Sequence, residues 1–312
     1  MVMRRRLAVL GVAASLDLLL GELPDRAHPV AWLGRAASWL DQRLASSHKG
    51  QGLTGGVALV AVLAAPAMLV AGGFSRVTRS LPGITGIIVE ALLLKPAFAA
   101  RALFEHASRV EAALENGDLP AARQAVGLSV SRDTSDLPPG AVASAAIESL
   151  SENASDSIVA PWCWYLAGGL PTAWAYRVVN TLDAMVGYRE RGLFGAPAAR
   201  LDDVLNYLPA RLTGALLALA ADRPRATLDG ALRDHYATPS PNAGWPMAAA
   251  AHALGVRLEK RGHHVLNPDG RTPGAIDIAR ATSLVQQGIA AGALAAAVLA
   301  FALSRNRGEV GT

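Results

Sequence analysis

Two long runs without charged residues constrain this chain more than any other feature of its sequence. Val57–Phe74 and Gln286–Leu303 each extend for eighteen residues without Asp, Glu, Lys or Arg. As a helix, such a run is about 27 Å long, which nearly matches the hydrocarbon core of a bilayer, about 30 Å thick. Both runs therefore indicate helices that cross a membrane.

Four further apolar segments are weaker candidates for membrane spans. Ile84–Leu103 is interrupted by Glu90, Lys95 and Pro96, and Ile158–Ala175 contains two prolines. The other two, each with one charged residue, are Leu7–Leu20 and Tyr207–Ala221. Charged residues make up only 17% of the chain, against about 25% in soluble domains. We therefore expect an all-α fold, a polytopic helical bundle that passes several times through the cell membrane.

The polar segments between these runs predict soluble helical inserts in a single integral membrane domain, 1–312. We place the inserts at about 104–157 and 222–283. Expected local features are, in order, a helix at Ala107–Asn116, a helix cap at Asp118, a helix start at Pro138-Pro139, a helix at Met247–Gly255 and a short strand near Val256–Leu266. Asp as a cap and Pro in the first turn are typical of helix starts.

The amino terminus and the charge balance exclude several classes of protein. M-V-M-R-R-R followed by an apolar stretch looks like a signal peptide, but Asp17 and the lack of a small-residue cleavage site before Glu22 favour a retained first helix. Cys163, the single cysteine, excludes a disulfide within the chain and is expected to be a packing residue. The net charge of +4 is modest and no block of basic residues with interleaved aromatics is present, so no nucleic-acid partner is expected.

Three carboxylates follow one another at helical spacing before the Trp-rich apolar segment. Glu148, Glu152 and Asp156 are at positions i, i+4 and i+8, and Ala146–Asp156 contains no cation. On a helix they would share one stripe and repel each other. The simplest partner that would neutralise them is Mg²⁺ carrying substrate phosphates.

A second polar motif, V-N-T-L-D-A-M-V-G-Y-R-E-R, contains Asn180, Asp183, Tyr188 and Arg189. Asn180 and Asp183 are three residues apart and would share a helical face. A helix cap is the simpler interpretation of such a pair. The density of Asn, Asp, Tyr and Arg favours a ligand site instead.

A third motif, A-R-L-D-D-V-L-N-Y-L-P-A-R-L, holds Asp202, Asp203, Asn206 and Arg211. Two adjacent acids cannot face the same side of a helix, so at most one of them is expected to point into a shared site. Acids and arginines beside a membrane span are costly unless they are paired or functional. An interfacial cluster of ion pairs is the alternative interpretation.

Two loops have the composition of oxyanion-binding loops. Gly127–Ser135 contains Arg132, and Ser240–Gly244 contains Ser240 and Asn242. A plain turn explains either loop nearly as well. Of the histidines, His28 and His235 are weak candidates for acid–base roles, and the adjacent pair His263-His264 has no companion ligand nearby in the sequence. No zinc-binding pattern is present.

Six unusual motifs occur in order along the chain. They are D-L-L-L-G-E-L-P with H-P-V-A-W-L-G, then S-R-D-T-S, E-S-L-S-E-N-A-S-D-S-I-V-A-P, Y-R-V-V-N-T-L-D-A-M-V-G-Y, A-R-L-D-D-V-L-N-Y-L-P-A-R-L and S-P-N-A-G-W-P. With them the chain resembles the cobinamide-phosphate synthase family of vitamin B12 biosynthesis over almost its whole length. It departs from the family pattern at Glu22, Ala184, Arg189 and Met247, where the family usually has Asp, Ser, Lys and Glu.

The resemblance implies a membrane enzyme of the acid–amine ligase class. Such an enzyme uses ATP to join adenosylcobyric acid to (R)-1-aminopropan-2-ol, or to its O-phosphate, through an amide bond. The product is adenosylcobinamide or its phosphate. The partners implied are the corrinoid, the aminopropanol and membrane lipid, with other enzymes of the cobalamin pathway as further partners.

For this reaction we expect Mg²⁺ as cofactor and ATP as co-substrate. The expected catalytic residues are Glu148, Glu152, Asp156 and Asp183, and the expected metal ligands are Glu148, Glu152, Asp202 and Asn206. The expected residues for binding substrate and phosphate are Arg132, Asn153, Asn180, Tyr188, Arg189, Arg211, Ser240 and Asn242. Arginine suits phosphate because its planar fork donates two parallel hydrogen bonds.

The number of spans bears directly on this site. If all six apolar segments crossed the membrane, Arg177–Asn206 would lie on the opposite side from Phe104–Asp156. A shared site on the cytoplasmic side, where ATP is found, therefore requires a re-entrant Ile158–Ala175, which its prolines permit, or charged segments that lie at the interface.

Two other functions are open from the residues alone. A membrane transporter could use the carboxylates near Ile158 to couple an ion, but such proteins often contain an inverted repeat, and none is visible here. A phosphotransferase acting on a CDP-alcohol would also cluster Asp around Mg²⁺, but its D-x-x-D-G-x-x-A-R pattern is missing.

Overall fold

The structure is a computed structural model that describes residues 2–45 and 52–309, and it is almost entirely helical. The α-helices are α1 (Val2–Leu20), α2 (Pro29–Ala45), α3 (Leu53–Ser80), α4 (Gly83–Leu94), α5 (Ala100–Glu115), α6 (Leu119–Gly127), α7 (Pro139–Ala154), α8 (Ala160–Gly168), α9 (Leu170–Val186), α10 (Gly192–Ala220), α11 (Pro224–Asp234), α12 (Gly244–Leu254) and α13 (Ala275–Glu309). Strands β1 (Leu258–Lys260) and β2 (His264–Leu266) pair antiparallel, with Glu259 opposite Val265. The expected all-α fold is confirmed.

Several local features follow from the sequence as expected. The side chain of Asp118 accepts a hydrogen bond from the backbone N–H of Ala121 at 3.0 Å and so caps α6. Pro139 lies in the first turn of α7, where a missing N–H costs nothing. The strand expected near Val256–Leu266 is the β1–β2 hairpin.

The chain divides into two compact units. Unit one comprises Met1–Ala100 and Ala160–Asn206, and unit two comprises Arg101–Val159 and Tyr207–Thr312. Each unit is assembled from two separate stretches of sequence. Helix α10 contributes its first part to unit one and its last part to unit two.

Unit one is built around α3 and α9, which pack against each other. One group of buried apolar side chains joins α2, α3 and α9 and includes Leu59 and Leu182. A second group joins α1, α4, α8 and α9 and includes Val9 and Tyr165. Gly56 permits the close approach of α3 to α10, because a Cβ there would overlap the backbone carbonyl of Phe194.

Unit two is built around α7, most of whose residues are buried. It packs against α6, α12, α13 and β1. Its neighbour α12 has four consecutive alanines, 248–251, that are fully buried. Small side chains on both helices allow close backbone approach, so the alanine-rich composition produces a dense core.

Two of the described helices are long and apolar enough to cross a membrane, namely Leu53–Ser80 and Ala275–Leu299. Only 11% and 17% of their most apolar windows are buried in the protein. A core helix of a soluble protein would be mostly buried, so these windows leave apolar surface for other contacts. Each overlaps one of the two uncharged runs from which the membrane spans were predicted.

The predicted span Ile84–Leu103 is not one helix. Helix α4 ends at Leu94, Lys95–Ala97 forms a short 3₁₀ turn, and α5 begins at Ala100. Proline at position 96 lacks a backbone N–H, so it cannot continue the α-helical hydrogen-bond pattern. The segment Ile158–Ala175 is also broken. Gly169 lies between α8 and α9, and its φ of 80° is outside the helical range.

The end of α7 departs from a regular helix. Residues Ser155–Val159 form a π-helical turn before α8 begins. The regular spacing that relates Glu148 to Glu152 therefore ends before Asp156, which lies within the π turn. Turns of this kind are frequent at functional sites.

Candidate functional site

The first candidate site lies in unit one and is formed by polar side chains of α9 and α10. We call it the Asp202 cluster; its members are Tyr176, Asn180, Asp183, Asp202 and Asn206. Asp202 accepts hydrogen bonds from the amides of Asn206, at 2.9 Å, and Asn180, at 3.3 Å. The Tyr176 hydroxyl donates to Asn206 Oδ1 at 2.9 Å.

Helical periodicity brings these side chains together. Tyr176, Asn180 and Asp183 recur at intervals of four and three along α9, and Asp202 and Asn206 are four apart on α10, so each set lies on one helix face. Asp202 and Asn206 are buried, whereas the adjacent Asp203 is only half-buried. Asp202 is therefore the buried member of the two neighbouring acids, while Asp203 lies near enough for its charge to raise the pKa of Asp183.

The Asp202 cluster contains negative charge that no base offsets. Of the described residues, no Lys, Arg or His forms an ion pair with Asp183 or Asp202. Burial and, to a smaller extent, the charge of Asp183 raise the pKa of the Asp202 carboxyl to about 7, although the amide hydrogen bonds from Asn206 and Asn180 oppose the rise. Burial also raises the pKa of Asp183, with a contribution from Asp203.

Gly187 makes room for Asp183. A Cβ at position 187 would overlap the Asp183 carboxylate, which lies directly against the end of α9. The motif N-T-L-D-A-M-V-G thus contains both Asp183 and the glycine whose missing side chain leaves room for the Asp183 carboxylate. Because Gly187 has φ of −71°, an ordinary value, it is side-chain volume and not backbone conformation that requires glycine here.

The donor set of the Asp202 cluster fits Mg²⁺ bound together with a phosphate. Magnesium is usually held by one or two carboxylates, several waters and substrate phosphates. Asp183 and Asp202 supply two carboxylates without a paired base. Among the described residues, no three His, Cys, Asp or Glu side chains are grouped so as to hold a metal by themselves. A metal here would therefore depend on its substrate for the remaining ligands.

The second candidate site lies in unit two, around Glu148 on α7. We call it the Glu148 cluster; its members are Arg132, Ser144, Glu148 and His264. Glu148 Oε2 accepts a hydrogen bond from Arg132 Nη2 at 3.0 Å, and Glu148 Oε1 accepts one from the Ser144 hydroxyl at 3.3 Å. His264 Nε2 lies 3.5 Å from Glu148 Oε1.

Arg132 changes the interpretation of the predicted carboxylate stripe. Mg²⁺ was the simplest partner expected for the three acids, and Arg132, from the loop before α7, already supplies a positive charge to Glu148. A protein side chain already neutralises Glu148, so this acid fits a metal less well than Asp202 does. Glu152 and Asp156 are half-buried, on the last turn of α7 and in the π turn.

Two side chains of α7, Asn153 and Ser149, form hydrogen bonds with backbone carbonyls, whereas the predicted residues Tyr188 and Arg189 follow α9 in unit one. The amide of Asn153 donates to the carbonyl of Ser149 at 2.9 Å, so it is bound within its own helix. The Ser149 hydroxyl donates to the carbonyl of Ser129 at 3.0 Å and fastens the Arg132 loop to α7. Tyr188 is exposed in the turn after α9. The side chain of Arg189 lies outside the part that the structure describes.

Arg211, Ser240 and Asn242 come together in unit two at the start of α12. Arg211 Nη1 donates to Asn242 Oδ1 at 3.3 Å, and its guanidinium carbon is 3.5 Å from the centre of the Tyr207 ring. The Ser240 hydroxyl accepts from the backbone N–H groups of Asn242 and Ala243, both at 3.2 Å. Two of the N–H groups that could bind an oxyanion are therefore used by the turn itself.

Comparisons with known proteins identify the family. The family described as CobD/Cbib protein matches residues 10–285. The chain belongs to the CobD/CbiB family. It is 43% identical over 268 residues to the "Probable cobalamin biosynthesis protein CobD" of Methanothermobacter thermautotrophicus, covering 83% of this chain and 86% of that protein.

Two bacterial members of the CobD/CbiB family are similarly close. The chain is 42% identical over 279 residues to the "Cobalamin biosynthesis protein CobD" of Brucella melitensis, covering 82% of each chain. It is 38% identical over 299 residues to the protein of the same name from Rhodobacter capsulatus, covering 91% of this chain and 94% of that one. No solved structure matches the chain.

Within this CobD/CbiB chain, sequence analysis missed His264 as a member of a site. The pair His263-His264 lacks companions in the sequence, yet the β1–β2 hairpin places His264 beside Glu148, 116 residues earlier in the chain. Neither ring nitrogen of His264 has a hydrogen-bond partner among the residues that the structure describes, and the side chain is 6% exposed. No local signal reveals this contact, because it depends on tertiary pairing.

A buried ion cluster in unit one was also missed. Lys95 Nζ lies 3.4 Å from Asp17 Oδ1 and 3.1 Å from Glu22 Oε1, and His28 Nε2 lies 2.7 Å from Glu22 Oε2. Burial alone would raise the pKa of the Glu22 carboxyl, but its contacts with His28 and Lys95 lower it overall. The usable signal was a lysine and an aspartate inside apolar runs, where charge is costly unless paired.

Proposed function

We propose that this protein is an ATP-dependent ligase of cobalamin biosynthesis that joins adenosylcobyric acid to (R)-1-aminopropan-2-ol or its O-phosphate. Membership of the CobD/CbiB family over residues 10–285 is the observation that carries the proposal. Its relatives bear the name of cobalamin biosynthesis proteins. The amide-forming reaction follows from the family resemblance and from the chemistry of the Asp202 cluster.

An amide does not form from a carboxylate and an ammonium at neutral pH without activation. In the proposed route, a propionate oxygen of the corrinoid attacks the γ-phosphorus of ATP, and ADP leaves. The amine nitrogen then attacks the acyl carbon of the resulting acyl phosphate, inorganic phosphate leaves, and the nitrogen loses a proton. Positioning and charge neutralisation supply most of the rate enhancement in phosphoryl transfer.

We assign the amine to the Asp202 cluster. A carboxyl with a pKa of about 7 is partly ionised at neutral pH, so it can pair with an ammonium or accept its proton. Asn180 and Asn206 donate to both carboxylate oxygens and fix the orientation of Asp202. Mg²⁺, if bound here, would be held by Asp183 and Asp202 and would offset the charge of phosphate oxygens.

We assign phosphate binding to Arg211 and Asn242 in unit two. Arg211 is held in one orientation by its contacts with the Tyr207 ring, the Tyr207 carbonyl at 2.7 Å, Asn242 and the Trp245 ring, whose centre is 5.1 Å away. A guanidinium that is held in this way loses less entropy on binding a phosphate. Arg132 is less suitable, because Glu148 already occupies it.

We also propose that the protein is an integral membrane protein with its site on the cytoplasmic side. The two long apolar helices, Leu53–Ser80 and Ala275–Leu299, support membrane insertion. Several other helices expose large apolar side chains, among them Leu19 on α1, Ile84 on α4 and Leu208 on α10. Labelling of single cysteines placed near Asp136 and Arg191 tests the orientation, and labelling from opposite sides would contradict a cytoplasmic site.

The deciding experiment is an assay of purified protein with adenosylcobyric acid, Mg²⁺-ATP and each form of the aminopropanol. We expect ADP, phosphate and an amide product with the mass of adenosylcobinamide or its phosphate. Corrinoid uptake into sealed vesicles without ATP consumption would instead favour a transporter. Unchanged turnover in Glu152→Gln would remove Glu152 from the mechanism.

Trapping with hydroxylamine tests the acyl phosphate. A corrinoid hydroxamate is expected only when ATP and adenosylcobyric acid are both present. A hydroxamate that forms without ATP would contradict activation by phosphoryl transfer. The Asp202→Asn variant separates the two roles proposed for Asp202. Loss of the amide alone assigns Asp202 to the amine, and loss of the hydroxamate as well assigns it to Mg²⁺ and phosphoryl transfer.

A further inference from the structure

Helix α2 presents an exposed face with an unusual composition. At 100° per residue, Trp32, Arg35, Trp39 and Arg43 fall within one third of its circumference. All four side chains are exposed, with Trp32 51% and Trp39 53% accessible. Two exposed tryptophans on one helix face are costly in water, because each presents a large apolar ring.

The opposite face of α2 is packed inside unit one. Leu33, Ala37 and Leu40 lie in the apolar group that contains Leu59 and Leu63 of α3. Helix α2 thus lies against α3, one of the two helices suited to cross a membrane. The Trp–Arg face points away from this contact.

The charge of the exposed face is entirely positive. The only acid of α2, Asp41, is turned away from it and pairs with Arg191 of the same unit. The Arg43 guanidinium carbon is 4.1 Å from the centre of the Trp39 ring. Tryptophan concentrates at the headgroup level of membranes, and arginine attracts anionic lipid headgroups.

We propose that the Trp32–Arg35–Trp39–Arg43 face of α2 binds the headgroup region of anionic phospholipids, so that α2 lies in the membrane interface beside the α3 span. The tryptophan rings enter the boundary between headgroups and acyl chains, and the two guanidinium groups contact lipid phosphates. Anionic lipid buries the apolar tryptophan rings and pairs with the arginine charges, whereas water solvates the arginines but leaves the rings exposed.

Fluorescence quenching tests the proposal on the whole protein. The full chain is reconstituted in nanodiscs that contain brominated phosphatidylcholine or brominated phosphatidylglycerol. Two of the six tryptophans belong to the α2 face, and we expect quenching by the anionic lipid to exceed that by the zwitterionic lipid by about 1.5-fold. Trp32→Phe/Trp39→Phe should abolish the excess, and an excess that persists would overturn the proposal.

A charge variant with a matched control tests the role of arginine. Arg35→Gln/Arg43→Gln should lower the apparent affinity for phosphatidylglycerol by about 25-fold, because each arginine contributes about fivefold at an anionic surface. Arg225→Gln/Arg233→Gln removes the same charge from the exposed surface of α11 and should leave that affinity unchanged. If both variants lose affinity equally, net charge and not the α2 face would explain the binding.

Two further outcomes would also overturn the inference. Equal quenching by the two lipids in the unmodified chain is one, and it needs no variant to fold. The other is that Arg35→Gln/Arg43→Gln changes the oligomer mass of the protein but not the quenching of its tryptophans. That result would assign the α2 face to contact with a second copy of the chain. The inference depends on the proposed membrane location but not on the ligase reaction, and the amide assay measures that reaction separately.

Discussion

The Asp202 cluster and the Glu148 cluster each bury a carboxylate, yet the protein stabilises the two charges in different ways. Glu148 pairs with Arg132 at 3.0 Å and lies beside His264. Among the described residues, Asp202 receives hydrogen bonds from neutral amides and from no base, and it lies near a second acid, Asp183. The first charge is therefore balanced within the protein, whereas the second is not.

This difference indicates where a ligand is needed. A buried acid that is already paired contributes to the fold, and adding a cation would compete with its arginine. A buried acid that has amide hydrogen bonds but no paired base keeps a raised pKa, because burial outweighs the amides. A cation that binds beside it, whether an ammonium or Mg²⁺, stabilises its charged form. Perturbed carboxyls of this kind are typical of functional sites.

The largest expected effect is that of Asp202→Asn, which should lower amide formation about 1000-fold. The substitution keeps the size of the side chain but removes the group that pairs with the amine. The measurement is the rate of product formation at saturating ATP. Asp203→Asn serves as the control, because the adjacent acid is only half-buried, and it should retain activity within about threefold.

The same variant tests the pKa through stability. Asp202 binds its proton more tightly in the folded state, so its contribution to the free energy of unfolding falls as pH rises from about 4 through about 7. At pH 8.5, Asp202→Asn should therefore raise the free energy of unfolding by about 4 kcal/mol, with a smaller gain at pH 5. A variant less stable than the parent at pH 8.5 would show that the carboxylate is paired after all.

Removing the arginine of the other cluster should have the opposite effect on stability. Arg132→Met leaves Glu148 buried without its partner and should lower the free energy of unfolding by about 3 kcal/mol. The double variant Arg132→Met/Glu148→Met removes both charges and should recover most of the loss. If the single and double variants are equally unstable, packing and not charge pairing explains the effect.

The amide of Asn206 has a smaller effect, on pH dependence. Its hydrogen bond lowers the pKa of Asp202, so Asn206→Leu should raise that pKa and move the ascending limb of the kcat/KM profile upward by about one pH unit. Tyr176→Phe loses only the hydroxyl that donates to Asn206, and a shift of about half that size is expected. If the kcat/KM profile does not move, the group whose titration controls activity is not Asp202.

The smallest expected effect is that of Ser144→Ala. The Ser144 hydroxyl donates to Glu148 and accepts from the backbone N–H of Glu259 at 2.8 Å. Because Arg132 remains, the loss should be limited to about 1 kcal/mol in the free energy of unfolding. In the Arg132→Met background, Ser144→Ala should lower the free energy of unfolding by more than it does in the parent, since Glu148 then keeps the Ser144 hydrogen bond but not its arginine.

Helix identity and helix ends were largely predictable from local sequence. Asp118 and Pro139 marked the starts of α6 and α7, and the uncharged run from Val57 predicted most of α3. These signals act within one or two turns, so no distant residue is needed to read them. The break at Pro96 was visible for the same reason, although the apolar run around it suggested a continuous span.

Site composition was only partly predictable. The motifs around Asp183 and Asp202 indicated polar helix faces, and adjacency allowed only one of Asp202 and Asp203 to face inward. Neither motif indicates that Asn180 and Asn206 converge on the same carboxylate. That convergence depends on how α9 packs against α10, which no spacing within either helix specifies.

By itself the sequence determined the α-helical fold, the long apolar helices, the family and the set of acids from which a site can be made. Hydrophobic periodicity, capping residues and motif order are local properties, so they survive without knowledge of the packing. Only the tertiary structure decided which acids are balanced. It placed Arg132 and His264 beside Glu148, and within the described part of the chain it gave Asp202 amide donors but no paired base. The electrostatic environment of a buried group is set by neighbours distant in the chain.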